Sequence, residues 1–242
     1  MNEVAAALAF ALLPVAGNLS GGLVAEAVAV NEATLSYALH AATGVVLAVV
    51  GLELMPEALA VGAAWVPIIS FVAGGLVFLA ADSLLGGVAA RLGGDSGARP
   101  WLIYAGVAVD LFSDGLMIGT GTSIATSLGL LLAVGQVPAD LPEGFALMAA
   151  LRARGVEARR RRLAVAALAV PVVAGALLGV LVVRRAPQLV RVSVLALTGG
   201  VLTSVVVEEV VPEAHREGGA RFAALATVAG FAVFAAVSRY AG

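Results

Sequence analysis

Apolar residues fill long stretches of this chain, interrupted only by short charge clusters and by glycine and proline. Cutting the sequence at those interruptions predicts eight helices, at approximately 4–24, 35–59, 65–88, 101–121, 126–151, 163–183, 190–213 and 220–239. About 20 apolar residues in a helix cross the ~30 Å hydrocarbon core of a bilayer. The pattern therefore predicts one all-α integral membrane domain over residues 1–242, with eight transmembrane helices. The first stretch is read as a retained helix rather than a cleavable signal peptide. Met1 to Ala11 holds Glu3 and no basic residue to form a positive leading region.

Composition strengthens this reading. The chain is 61% hydrophobic and only 12% charged, with a mean hydropathy of +1.05, whereas a soluble domain has roughly 45–50% apolar and about 25% charged residues. A net charge of −2 gives no reason to expect nucleic acid as a partner. The absence of cysteine excludes disulfides, thiolate metal ligands and thiol catalysis.

All 14 basic residues are arginine, and their distribution sets the expected orientation. Cytoplasmic loops are enriched in Lys and Arg. The connection between helices 5 and 6 holds Arg152, Arg154 and Arg159 to Arg162, the 3–4 connection Arg91 and Arg99, and the 7–8 connection Arg216 and Arg221. The opposite side has Arg184, Arg185, Arg191 and Arg239. Both termini are thus expected on the extracellular or periplasmic side, in a multi-pass protein of the cell (inner) membrane.

The chain also repeats itself. At an offset of 156 residues, Gly44 to Leu59 (GVVLAVVGLELMPEAL) aligns with Gly200 to His215 (GVLTSVVVEEVVPEAH) with eight identities in sixteen. The same offset aligns Phe71 to Asp82 (FVAGGLVFLAAD) with Thr227 to Ser238 (TVAGFAVFAAVS), with six identities in twelve. Helices 2 and 3 then correspond to helices 7 and 8, and helix 1 to helix 6. Five spans separate the copies, so the second crosses the membrane in the opposite sense, the inverted-repeat plan common in secondary transporters. Helices 4 and 5 stand between the halves, giving a 3+2+3 arrangement.

The inserted helices carry the chemistry. Asp110 and Asp114 stand at i and i+4 in helix 4, and Asp140 and Glu143 at i and i+3 in helix 5, spacings that put each pair on one helical face. An ionised group near the bilayer centre costs about 2.5–3.5 kcal/mol on insertion scales, so four unpaired would cost on the order of 10–14 kcal/mol. No Lys, Arg or His lies in either span to neutralise them. Four protonated, hydrogen-bonded acids in a packed bundle would be one solution; a divalent cation that supplies the missing charge is the better account. Pro138 and Pro142 interrupt the hydrogen-bond ladder of helix 5, and Gly115 and Gly144, directly after the acids, allow close helix approach.

A third polar cluster ends helix 7, with Glu208, Glu209, Glu213 and His215, and its repeat partner ends helix 2 with Glu53 and Glu57. Glu209 and Glu53 lie about a turn deeper than Glu213 and Glu57 and are the better candidates for transient ligands on a route. His40, at the start of helix 2, is expected at the interface. Asn18 in helix 1 is expected to make a helix-to-helix hydrogen bond.

These residues resemble the ZIP family of divalent-metal transporters (zinc, iron, manganese), and the chain reads as a divergent member. Asp140-Leu-Pro-Glu-Gly144 is similar to the family's D-x-P-E-G, Glu209-Val-Val-Pro-Glu-Ala-His-Arg216 to its E-x-x-P-E-x-H-R, and Glu53-Leu-Met-Pro-Glu-Ala58 to its E-L-x-P-E-A. The resemblance implies eight spans in a 3+2+3 arrangement, a homodimer, and elevator-like alternating access in which helices 1, 4, 5 and 6 slide against helices 2, 3, 7 and 8. It implies metal ligation by Asp110, Asp114, Asp140 and Glu143 between helices 4 and 5, with Glu53, Glu208, Glu209 and His215 along a possible metal route toward the cytoplasm.

The departures from the family pattern are also informative. Its helix 4 motif H-N-x-P-E-G here reads Asp110-Leu-Phe-Ser-Asp-Gly115, the Gln before the helix 5 aspartate is Ala139, and Val170 precedes Pro171 where helix 6 has a glutamate. One all-oxygen site is expected in place of a binuclear centre, and oxygen ligation favours harder cations such as Mn²⁺, with Fe²⁺ plausible, over strong Zn²⁺ selection. The expected function is transport of a divalent metal (Zn, Fe, Mn or Cd), which is substrate rather than cofactor; no organic cofactor and no enzymatic activity are expected. A transport-inactive relative that binds or senses metal is the alternative. An intramembrane aspartyl protease, which also needs two carboxylates on neighbouring helices, is a more remote one, since neither its Tyr-Asp nor its Gly-x-Gly-Asp sequence occurs here.

Overall fold

Residues 2–27, 32–61, 63, 65–91, 99–216 and 222–241 are described by a computed structural model, and among them no strand occurs. The helices group into eight rods: α1 (Glu3–Ala27), α2 (Ala33–Leu59), α3 (Trp65–Arg91), α4 (Arg99–Ile124), α5 (Thr126–Ala153), α6 (Ala158–Arg185), α7 (Gln188–His215) and α8 (Ala223–Ala241). Among the described residues, six of them are long and apolar enough to cross a membrane. The remaining two, α4 and α5, carry Asp110, Asp114, Asp140 and Glu143, which lower their hydropathy.

The rods fall close to the stretches expected from the sequence, with one physical difference. Arg159 to Arg162 form the first turns of α6 rather than a connecting loop. Arginine is a good helix former, and three of the four find a carboxylate: Arg160 Nε lies 3.8 Å from Glu157 Oε2 at the helix start, Arg161 Nε 2.5 Å from Glu26 Oε1 and an Arg162 guanidinium nitrogen 2.6 Å from Glu26 Oε2. The basic run thereby ties the end of α1 to the start of α6. Arg221 and residue 220, the expected start of helix 8, lie outside the described residues.

Prolines bend the rods at specific places. In α6 the break falls at Leu168, three residues before Pro171, whose missing N–H cannot bond the carbonyl of Ala167. Ahead of Pro56 in α2 and Pro212 in α7, the ladder widens into π-helical turns at Val49–Leu54 and Val206–Val210. Met55 N–H bonds Val50 and Val211 N–H bonds Val206, each spanning five residues. Such bulges relieve the clash of a proline ring with the preceding turn and re-aim nearby side chains, which here include Glu53 and Glu209.

Glycine decides which rods touch. In lipid the hydrophobic effect gives little drive for helix association, so close backbone approach through small residues carries it. A Cβ on Gly44 would lie 1.9 Å from the Thr227 carbonyl oxygen on α8, and one on Gly200 would lie 1.9 Å from that of Phe71 on α3. Adding 156 to Gly44 and Phe71 gives Gly200 and Thr227. The π-helical turns before Pro56 and Pro212 stand at the same offset. On the other side, Gly144 of α5 packs on the backbone of Asn18 in α1, and Gly115 of α4 on that of Val172 in α6, as expected for glycines next to the acids.

Two groups of rods result, α2 with α8 and α3 with α7 in one, and α1 with α5 and α4 with α6 in the other. The second group has its own core, including Leu111, Leu147, Met148, Leu168 and Val172. A larger core joins the groups, with Val49, Leu54, Met117, Ile118, Leu132 and Phe234 fully or nearly fully buried. It occupies the C-terminal half of α4 and the N-terminal half of α5, to one side of the acids.

Candidate metal-ion site

Asp110 and Asp114 of α4 stand close to Asp140 and Glu143 of α5, near enough to interact electrostatically. Asp114 and Asp140 are each 1% exposed. Asp110 and Glu143 are half-buried, and their side chains are within hydrogen-bonding reach of each other. The structure therefore gathers both expected pairs into one region between α4 and α5.

Two neutral amides complete its walls. Gln136 Nε2 donates to Asp114 Oδ1, and Asn18 Nδ2 donates to Asp140 Oδ1 at 3.5 Å. Asn18 thus makes the helix-to-helix bond expected of it. Gln136 is a residue that sequence reasoning passed over; its signal was its place one turn before Asp140, at i and i+4, on the face that already carries the acid.

The donor set is oxygen throughout. Asp110 Oδ1, Asp114 Oδ2, Asp140 Oδ2 and Glu143 Oε2 are all buried without a hydrogen-bond partner, as are Asn18 Oδ1 and Gln136 Oε1. Buried polar atoms are seldom left orphaned. Six such oxygens around four acids suit a cation, and a hard one by their chemistry. The carboxylates are not clustered tightly: among the described residues no three His, Cys, Asp or Glu side chains stand close enough to hold one ion together.

A cleft of about 90 Å³ leads away from the acids, lined by Asp110, Glu143, Phe78, Asp82, Val205 and Glu209 among others. It lies toward the end of the bundle that carries the arginine-rich α5–α6 connection. Glu209, placed on its π-helical turn, lines this cleft. Asp82 of α3 is a further acid here that the sequence reading did not assign a role. Its signal was a lone carboxylate inside an otherwise apolar helix.

The other route residues separate. Glu53 does not line the cleft; it accepts a hydrogen bond from the Ser238 hydroxyl on α8. Ser238 and Asp82, and likewise Glu53 and Glu209, are related by 156 residues. Glu208 is exposed next to Glu209. His215 does not line the cleft either and packs instead against His40, with ring centres 5.0 Å apart. His40, expected at the interface, is buried at 4% exposure because α7 covers it.

The model of the family described as ZIP Zinc transporter matches residues 91–238, more than half of the chain. The chain belongs to the ZIP zinc transporter family. No curated protein gave a match. ZIP membership and the apolar helices together make this a multi-pass membrane protein whose general function is metal transport. ZIP proteins are transporters rather than enzymes. The match begins at the end of α3, so all four acids of the α4–α5 region and the Glu209 cluster lie within it.

Proposed function

We propose that this ZIP protein moves a divalent cation through the membrane toward the cytoplasm, by way of a carboxylate site formed by Asp110, Asp114, Asp140 and Glu143. The observation that carries the reading is the set of four buried carboxylate oxygens without a hydrogen-bond partner on two adjacent helices. The all-oxygen set favours Mn²⁺ or Fe²⁺ over a strong preference for Zn²⁺. Asp82 and Glu209 offer the next ligands along the exit cleft.

Eight spans in an inverted 3+2+3 repeat are part of this reading. The reciprocal glycine contacts at one 156-residue offset, and the paired π-helical turns, support it. The arginine distribution supports outward termini in a cell (inner) membrane. On that orientation the cleft faces the cytoplasm, and the core of Val49, Leu54, Met117, Ile118 and Leu132 seals the outer side. The two groups of rods, meeting across that core, are the units that would slide against each other in an elevator motion. The apolar outer faces of α3 and α8 are available to lipid or to the second protomer of a homodimer.

Uptake of Mn²⁺, Fe²⁺, Zn²⁺ and Cd²⁺ into proteoliposomes tests the proposal, with Asp114→Ala and Glu143→Ala as controls. Transport that survives both substitutions would sink it. The absence of a tight three-ligand cluster among the described residues favours one second reading, a relative that binds or senses metal without moving it. Saturable metal binding with no flux would select that reading.

A further inference from the structure

The only two histidines of the chain, His40 and His215, are 175 positions apart in sequence and meet in the fold. Their ring centres are 5.0 Å apart, with the planes at 62°. One turn away the Ser36 hydroxyl donates to the Ala214 carbonyl at 2.6 Å, tying the same segments of α2 and α7 together.

The tautomers follow from the hydrogen bonds. His40 Nδ1 lies 2.8 Å from the Ser36 carbonyl oxygen, and His215 Nδ1 lies 2.8 Å from that of Val211. A carbonyl oxygen only accepts, so each Nδ1 carries a proton and each neutral ring presents a lone pair at Nε2. His40 Nε2 is buried and has no partner, while His215 is exposed. An Nδ1–H held by a backbone carbonyl is also the arrangement that orients metal-binding imidazoles. Two imidazoles on one tetrahedral ion, at about 2.0–2.1 Å per bond, have ring centres about 5 Å apart. The observed separation, in an edge-to-face contact, allows that arrangement.

From this geometry we infer that His40 and His215 form a second cation site, ligated by nitrogen and selective for a borderline divalent ion such as Zn²⁺ or Cu²⁺. It is distinct from the all-oxygen site between α4 and α5 and does not depend on the transport reading. Two imidazoles leave the remaining positions to water, so the site holds its ion loosely and exchanges it readily. It sits on α7 beyond Glu209, toward the end of the bundle where the cleft lies.

The test uses the full chain, purified without a polyhistidine tag, loaded with one equivalent of Cu²⁺ and read by pulsed EPR. With two histidines and no cysteine in the chain, imidazole nitrogen coupling can come only from this pair. The expected result is coupling to two imidazoles in the unmodified protein, reduced to one in His40→Gln and in His215→Asn. It should persist in the Asp114→Asn/Glu143→Gln double variant, which separates this proposal from the carboxylate site. Copper bound to the unmodified protein through oxygen alone, or through one imidazole, overturns it. That comparison stands even if a histidine variant fails to fold.

Discussion

Gln136 on α5 donates its amide to one carboxylate oxygen of Asp114 on α4, while the other oxygen of Asp114 is buried with no partner. The bond fixes Asp114 without neutralising it. Stripping a buried carboxylate oxygen of its hydrogen bond costs about 1–3 kcal/mol or more. Gln136→Leu is therefore expected to lower the thermal midpoint of the metal-free protein in detergent, and to raise the KM for uptake through loss of Asp114 positioning. Asp114→Asn removes a buried charge, and is expected to leave that midpoint unchanged or higher while cutting uptake at least tenfold. Thermal scans and proteoliposome flux on the two variants check both signs. A midpoint unmoved by Gln136→Leu would mean that this bond contributes nothing.

The eight rods and the positions of the four acids were legible in the sequence, because few folds other than a membrane bundle accommodate such long apolar runs, and few reasons exist to bury charge inside one. Partners on other helices were not legible. Asp110, Asp114, Asp140 and Glu143 announced themselves by i, i+3 and i, i+4 spacing, but the pairing of Gln136 with Asp114 depends on how α4 and α5 face each other. His40 looked interfacial by position, and only the return of α7 buries it against His215. Arg159 to Arg162 looked like loop by charge, yet Glu26, distant in sequence, makes their first turn of helix favourable.

The reciprocal glycines give a symmetric stability prediction. A Cβ at Gly44 or Gly200 would sit 1.9 Å from a backbone oxygen on the facing helix, and at Gly87 it would meet nothing within 4 Å. Gly44→Ala and Gly200→Ala should therefore each destabilise by about 1–3 kcal/mol, since the helices must separate. Gly87→Ala should stabilise by roughly 0.5–1 kcal/mol through helix propensity. Unfolding midpoints of the three variants decide. A neutral Gly44→Ala beside a damaging Gly200→Ala would contradict equivalent packing of the two halves.

Absence of native cysteine makes accessibility a direct probe of orientation. Single cysteines at Asn2, Asp82 and Ile118 report on the N-terminus, the cleft and the sealing core respectively. With an impermeant maleimide on intact cells, Asn2→Cys should label and Asp82→Cys should not. In inside-out vesicles the pattern should reverse. Ile118, which is 0% exposed, should be protected from both sides until the rods move. Labelling of Asn2→Cys only in inside-out vesicles would invert the proposed topology.

Selectivity provides the sharpest test of the oxygen-only site. Asp110 lies at the mouth between the buried acids and the cleft, against Glu143 and near Glu209. Replacing it with histidine exchanges one hard anionic donor for a neutral imidazole, the ligand type that suits Zn²⁺. It also removes one negative charge from a region where carboxylates crowd one another. Asp110→His is expected to raise the ratio of Zn²⁺ to Mn²⁺ uptake severalfold, with Mn²⁺ uptake falling rather than Zn²⁺ uptake alone rising. Competition flux with both ions in the same proteoliposomes measures that ratio directly, independent of how much protein is reconstituted. An unchanged ratio, with flux of both ions intact, would place Asp110 outside the coordination sphere and leave ion selection to Asp114, Asp140 and Glu143.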